Sequence, residues 1–287
     1  MSQPLSFLCV STFFKGNEFL RSCKQAGNTV YLLTNKKLEY KPWVREYIDE
    51  VFYVEENPDG SFDMKEIILG LAYTMRSKKI DRIVALDDFD VERAAHLREH
   101  FRIPGMGQTT SRHFRDKLAM RMKAQESGIK VPMFSSLFND HDVFEYTQKV
   151  IFPVVVKPRS EASATGIKKV HNIDQLWEVI HHLGDRRHEY LVEQFRLGDV
   201  FHVDSLSVDG KIIFTRCSQY LSTPMEVAHG GGIFRSVTVP FGSEDDKALQ
   251  KANEEVMEAF GMNYSASHSE FIKDHQTGEI IFLETAS

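Results

Sequence analysis

Short apolar runs alternate with amphipathic stretches through residues 1–103. Leu5–Val10 (LSFLCV), Thr29–Thr34 (TVYLLT), Glu50–Val54 (EVFYV) and Arg82–Leu86 (RIVAL) have the length and the β-branched and aromatic content of buried strands. Between and after them, Asn17–Ala26, Asp63–Arg76 and Val91–His100 read as helices. Gly27-Asn28 and Ile103-Pro104-Gly105 stop helices, and Asn57–Gly60 reads as a turn. Strands alternating with helices imply right-handed crossovers and a mainly parallel sheet covered on both faces. The expectation for 1–103 is a small doubly wound α/β domain.

The pattern then changes to α+β. Phe114–Ser127 predicts a helix stopped at Gly128, Ile129–Phe134 an edge strand because of Pro132, and His141–Lys149 a helix. Phe152–Gly166 (FPVVVKPRSEASATG) predicts a strand ending in Lys157, then a loop of small residues, with Lys168–Val170 returning as its hairpin partner. Ile173–Leu183 places Ile173, Leu176, Trp177, Ile180 and Leu183 on one helical face. Tyr190–Val192 is a strand, and Val200–Val208 and Lys211–Thr215 form a hairpin through Asp209-Gly210. Gln219–Phe234 reads as a loop with Gly230-Gly231-Gly232 at its centre, flanked by His229 and Arg235. Asp245–Phe260 is an amphipathic helix, and Ser269–Lys273 and Glu279–Leu283 are a final strand pair.

Composition narrows the function classes. The 287 residues are 42% hydrophobic and 26% charged, so the chain can bury a sizeable core. A net charge of −6 gives nucleic-acid binding no support. The three cysteines, Cys9, Cys23 and Cys217, form neither a metal pattern nor a disulfide framework. No apolar stretch reaches bilayer-spanning length, and no leader pattern opens the chain. These features predict a cytoplasmic protein with no nucleic-acid or membrane partner.

Candidate chemistry lies mainly in the second half. The turn Ser11–Gly16 carries one glycine, which sets aside a Gly-x-Gly-x-x-Gly dinucleotide site. Asp87, Asp88 and Asp90 follow the fourth strand, where they could bind a metal or an amine; capping of the next helix by Asp88 or Asp90 is the simpler expectation. Lys157 alone reads as a solvated lysine before an ordinary loop. Glu270 and Glu284 change that, because carboxylates on adjacent strands can converge on a hard cation. With Lys117, Lys157 and the small-residue loop, they make the parts of a nucleoside-triphosphate site. The Gly-x-x-x-x-Gly-Lys-Ser/Thr motif is absent, so this is not a P-loop protein.

Five stretches in order carry a family resemblance. They are Ile103-Pro104-Gly105 with Arg115-Asp116-Lys117; Gly128-Ile129 with Val131-Pro132; Val154–Pro158 followed by Ser160–Gly166; Leu191–Phe195 with Gly198; and Glu270 with Phe282-Leu283-Glu284. Together they resemble the ATP-grasp proteins of the carboxylate–amine ligase type, whose members include biotin carboxylase, D-alanine–D-alanine ligase and the L-amino-acid ligases. The resemblance implies an N-terminal domain at 1–103, a small lobe with a phosphate-covering loop at 104–190, and a large lobe with the metal site at 191–287. It implies that ATP phosphates contact Lys117 and Lys157 under a loop including Ser160, Ser163 and Gly166. Glu193 would receive the adenine amino group, with Gln194 and Phe195 completing the hinge. Glu270 and Glu284 would hold Mg²⁺, with Mn²⁺ as an alternative ion. The family's ribose-contacting glutamate falls at Val200, so Asp199 or His202 is expected to substitute.

The implied reaction activates a small carboxylate as an acylphosphate for attack by an amine, forming a C–N bond and ADP. Arg235 is the candidate to hold the substrate carboxylate or the transferring phosphate, against the alternative of a surface arginine. His268 reads as a structural histidine or a pocket wall. The family's Asn after the second metal glutamate falls at Ala286, and its Arg lies past Ser287. From this we expect a large lobe truncated at its C-terminus. A bicarbonate-activating carboxylase or carbamoyl-type enzyme and a non-catalytic ATP-binding module are the competing expectations. The resemblance also allows a homodimer.

Overall fold

A computed structural model of the chain describes residues 3–161, 166–223, 226–227 and 230–287. The chain divides into two compact units, 1–111 and 112–287.

Unit 1 runs β1 (Ser6–Ser11), α1 (Asn17–Gln25), β2 (Thr29–Asn35), β3 (Glu50–Val54), α2 (Met64–Thr74), β4 (Arg82–Ala85) and α3 (Val91–Phe101), with α4 (Gln108–Arg112) at its end. Its strands form one parallel sheet in the order β3-β2-β1-β4. Side chains alternate along each strand, so one sequence fills two layers. Leu8, Val10, Leu33 and Ile83 pack on Ile67, Leu71, Ala94 and Leu97 of α2 and α3. Cys9, Val30 and Leu32 pack on Leu20 and Cys23 of α1, with Trp43. This is the doubly wound arrangement expected from the apolar runs.

The aspartates after β4 depart from expectation. Asp87 caps the short 3-10 turn leading into α3 by accepting from the Phe89 N–H, and Asp90, at the N-cap of α3, makes no side-chain cap bond. Asp90 is fully buried; it accepts from the Thr12 N–H at 2.6 Å and the Thr12 hydroxyl at 2.9 Å, and pairs with Arg93. It ties the end of β1 to the start of α3.

Unit 2 runs α5 (Lys117–Glu126), β5 (Phe134–Ser136), α6 (Asp140–Thr147), β6 (Val154–Pro158), β7 (Lys168–Val170), α7 (Ile173–Leu183), β8 (Tyr190–Gln194), β9 (Gly198–Val208), β10 (Lys211–Tyr220), β11 (Ser236–Thr238), α8 (Glu244–Phe260), β12 (Ser265–Asp274) and β13 (Ile280–Ala286). Two antiparallel sheets result, β5-β8-β6-β7 and β11-β10-β9-β12-β13. The smaller sheet buries Val154, Val156 and Val192 against Val143, Leu176 and Ile180 of α6 and α7. Behind the larger sheet, Phe260 of α8 meets Phe114, with ring centroids 5.8 Å apart, and Phe282, at 5.5 Å. Parallel sheet first and antiparallel sheets second agree with the expected change of fold class.

Three element boundaries differ from the sequence reading. Helix α5 starts at Lys117, not Phe114, because Asp116 caps it by accepting from the Leu118 and Ala119 N–H groups. The edge strand expected at Ile129–Phe134 forms at Phe134–Ser136 instead; Pro132 has no N–H to donate to a ladder. Strand β10 continues past Thr215 to Tyr220 and pairs with β11, shortening the expected loop.

Candidate active site

The site follows from the alternation of β6. Val154 and Val156 face the helices, so Val155 and Lys157 face the opposite way, into a cavity of about 310 Å³ within unit 2. On β8 the same rule buries Val192 behind and turns Glu193 to the cavity. From the larger sheet, Val200, Glu270, Ile272, Leu283 and Glu284 line it. The segment Gln194–Gly198, between the two sheets, closes one end.

A β-bulge aims the carboxylates. Glu270 is the register partner of Glu284, and Phe271 is the partner of Phe282. Leu283 is therefore an extra residue on β13. In a regular strand without the bulge, Phe282 and Glu284 would share a face. With it, Phe282 stacks in the core on Phe271 and Phe260, while Leu283 and Glu284 both reach the cavity.

Ion pairs link the cavity residues. Arg121 is fully buried and holds Glu193 Oε2 through Nε at 2.9 Å and Nη2 at 2.7 Å. Lys157 Nζ pairs with the other oxygen, Oε1. Lys117 Nζ lies 3.0 Å from Glu284 Oε2 and donates to the Glu161 carbonyl at 2.8 Å. Burial lowers the Lys157 pKa, opposed by the Glu193 charge. Burial pushes Glu193 upward, but Arg121 and Lys157 outweigh it and leave the group below the usual carboxylate range. Glu284 is likewise raised by burial and lowered further by Lys117 and Lys157.

A second polar group lies beside Glu270. The Tyr220 hydroxyl donates to Glu270 Oε1 at 2.9 Å, and His268 Nε2 lies 3.8 Å from the same oxygen. Asp204 receives His268 Nδ1 at 2.7 Å and His202 Nδ1 at 2.9 Å. Its hydrogen bonds to His202 and His268 hold Asp204 well below the carboxylate range. Asp204, then Glu270, push His268 up to about 10.

The loop after β6 is anchored at its near end. The Lys117 N–H donates to the Arg159 carbonyl at 2.8 Å, Arg115 donates to the Ser160 carbonyl, and Lys117 takes the Glu161 carbonyl. Asp116 pairs with Arg159. Three successive carbonyls are thus fixed by the start of α5. At the far end Gly166 has φ 73°, and an added Cβ would lie 3.0 Å from Pro158 Cγ. Ser163 lies outside the described residues, as does His229.

Comparison with known proteins fits this arrangement. Residues 124–222 match the family model for the D-ala D-ala ligase C-terminus. The L-arginine-specific L-amino acid ligase of Bacillus subtilis is 26% identical over 278 residues, covering 94% of this chain and 65% of that protein. The chain therefore spans just under two thirds of that relative. The crystal structure of an L-amino acid ligase from Bacillus licheniformis superposes with a TM-score of 0.77 at 18% identity, covering 100% of this chain and 67% of that one. The biotin carboxylase domain of Hydrogenobacter thermophilus 2-oxoglutarate carboxylase, crystallised with MgADP and bicarbonate, gives a TM-score of 0.72 at 18% identity, covering 99% and 64%. The chain has the ATP-grasp fold.

Among the residues expected from the ATP-grasp resemblance, Lys117, Lys157, Glu193, Gln194, Phe195, Glu270 and Glu284 all line the one cavity. Glu270 and Glu284 fit a Mg²⁺ ion by chemistry: two register-paired carboxylates offer oxygen donors alone. Glu193 is ion-paired on both oxygens, with Arg121 on Oε2 and Lys157 on Oε1, so an adenine amino group would share an oxygen with one of them. Asp199 and His202 turn elsewhere. Asp199 is exposed and lies 3.4 Å from His275, and His202 holds Asp204. Arg235 is exposed and outside the cavity lining; its carbonyl accepts from the Leu221 N–H.

Sequence reading missed Arg121, Tyr220 and Asp204. Arg121 sits four residues after Lys117 on α5, a spacing that puts both on one helical face. Asp204 sits two residues after His202 on β9, hence on the same sheet face, which was the available signal.

Proposed function

We propose that this chain is the ATP-binding and carboxylate-activating part of an ADP-forming carboxylate–amine ligase, with an amino acid as the activated carboxylate. The observation that carries the reading is the cross-strand pair Glu270 and Glu284 facing Lys117 and Lys157 across one cavity. The relatives named as L-amino acid ligases support it. In this reading adenine lies in the apolar slot of Val155, Val200, Ile272 and Leu283. Backbone groups of Gln194 and Phe195 take the adenine edge beside the ion-paired Glu193 side chain. Lys169, 3.6 Å from the Phe195 ring centroid, braces that segment.

Lys117 and Lys157 take the phosphates, under the loop that includes Ser160, Ser163 and Gly166. Glu270 and Glu284 would hold Mg²⁺ or Mn²⁺, which supplies charge neutralisation to the triphosphate. A substrate carboxylate oxygen attacks the γ-phosphorus and ADP leaves, giving an acylphosphate. The amine then attacks its carbonyl carbon; the C–O bond to phosphate breaks and inorganic phosphate leaves. The protein contributes position and charge.

The three-part organisation belongs to this proposal, with β8 assigned to the small lobe because it pairs with β5 and β6. A homodimer is included because the biotin carboxylase neighbour is described as a dimer. A cytoplasmic setting is included because all three cysteines are free and buried. The test is ADP release from ATP and Mg²⁺ across a panel of amino acids, amines and bicarbonate. Amino-acid-dependent release supports the ligase reading. Release with bicarbonate alone replaces it with carboxylase chemistry. ATP binding without release under any condition leaves a binding module.

A further inference from the structure

The cluster of His202, Asp204 and His268 has no task in the proposed reaction. His202 and Asp204 point the same way from β9, and His268 points from β12. Asp204 is the register partner of His268, and His202 is the partner of Glu270, so the sheet itself fixes the spacing. Each Asp204 oxygen faces one imidazole: Oδ1 faces His268 Nδ1 at 2.7 Å and Oδ2 faces His202 Nδ1 at 2.9 Å. The two rings lie 4.9 Å apart, 32° from parallel. One ligand atom from each of the three residues lies within 4.8 Å of the others.

We propose that His202, Asp204 and His268 form a second divalent-cation site, selective for borderline transition metals of the zinc class. Three considerations support it. The separations are within reach of a metal: the three donor atoms lie within 4.8 Å of one another, and donors at ~2.1 Å from a tetrahedral ion stand about 3.4 Å apart, so the 2.7 and 2.9 Å pairs need to open by only about half an ångström. The donor set is two nitrogens and a carboxylate, the combination of three-ligand zinc sites that keep a position open. It also differs in kind from the all-oxygen pair Glu270 and Glu284, so each site has its own preferred ion. In the metal-free protein the two imidazole Nδ1–H groups donate to Asp204; the ion takes the place of those protons, each of which moves to Nε2 of a neutral ring or leaves a protonated ring for solvent.

The proposal is independent of nucleotide binding, and its test uses metal alone. Titration of the whole chain with Zn²⁺, without ATP, is followed by calorimetry. A parallel titration with Co²⁺ is followed by its visible absorption, which reports nitrogen ligation. One equivalent is expected to bind. Asp204→Asn and His202→Gln should each weaken it at least about tenfold, the scale that loss of even an outer partner of a metal reaches. Glu284→Gln should leave Zn²⁺ affinity within twofold of wild type. No Zn²⁺ binding, or equal affinity in wild type, Asp204→Asn and His202→Gln, overturns the proposal. Loss in Glu284→Gln with retention in Asp204→Asn also overturns it, by moving the ion to the carboxylate pair. Melting of each variant without metal separates misfolding from lost ligation. Failure of ATP to bind while Zn²⁺ binds as expected would remove the ligase reading and leave this one standing.

Discussion

Arg121→Met tests the electrostatic core of the site most directly. The arginine makes two contacts to Glu193 Oε2, at 2.9 and 2.7 Å, and a third to the Leu283 carbonyl. It is fully buried and Glu193 is 4% exposed, so water cannot take its place. Methionine fills similar space but leaves a buried carboxylate with Lys157 alone. Breaking a buried pair this way costs about 3–5 kcal/mol, which raises the unfolded fraction roughly a hundredfold to several thousandfold. Urea melting at pH 7 reads the loss. Trp43 lies in unit 1 and Trp177 in unit 2, so fluorescence in a Trp43→Phe background isolates the unit that carries the change. The double variant Arg121→Met/Glu193→Gln removes the orphaned charge and should recover much of the loss. The pH dependence has a definite sign. Glu193 is depressed in the folded wild type, so its contribution is present above the unfolded value of about 4.3 and lost as pH falls through the lower folded value. Without Arg121 one of the two charges that lower the folded value is gone, so that value moves up from its wild-type position and the difference between variant and wild type shrinks as pH falls. A loss under about 1 kcal/mol, or no recovery in the double variant, refutes the argument.

Further outcomes follow from other contacts. In Gly198→Ala the new Cβ would stand 2.3 Å from the Lys273 carbonyl oxygen across β9 and β12, so a loss of about 1–3 kcal/mol and a raised KM for ATP are expected. Lys157→Ala should weaken ATP binding by calorimetry, and Glu284→Gln should abolish ADP release while the fold melts normally; unchanged kinetics in either contradicts the site. Asp90→Ala removes two buried hydrogen bonds at the end of β1 and should destabilise unit 1 by about 1–3 kcal/mol, read through Trp43 in a Trp177→Phe background.

The parts that were legible in the sequence are those set by local period. Apolar runs of strand length located β1 to β4, β6 and the β12–β13 pair, and their alternation turned Lys157 and Glu270 to one side. What escaped depends on partners distant in the chain. Arg121 and Glu193 are 72 residues apart, and nothing local marks Glu193 as half of an ion pair. The start of α5 was misplaced because apolar Phe114 looks helical, whereas Asp116 is the cap. Arg235 stands three residues after a Gly triplet; its exposure is a property of packing, which composition does not report.

The charged side chains of the site are paired with one another, and that constrains how ATP would enter. Lys117, Lys157 and Arg196 line the cavity with Glu193, Glu226, Glu270 and Glu284, and Arg121 behind Glu193 brings the cations to four against four carboxylates. Under the proposed function, Lys157 has to loosen its pair with Glu193 to take a phosphate. Arg121 permits this by sharing Glu193 with Lys157, so that the lysine can turn while the buried carboxylate stays paired. Among the described residues Lys117 alone is ion-paired with Glu284, with Lys157 and Arg121 acting on it from farther away. When it leaves Glu284 for a phosphate, that carboxylate becomes available to the cation in the same exchange. Lysine and metal ligand are therefore coupled, and Lys117→Met is expected to alter the Mg²⁺ dependence of ATP binding as well as its affinity. Isothermal titrations of ATP at graded Mg²⁺ would read both. A uniform weakening of ATP at every Mg²⁺ concentration would show that the two are independent.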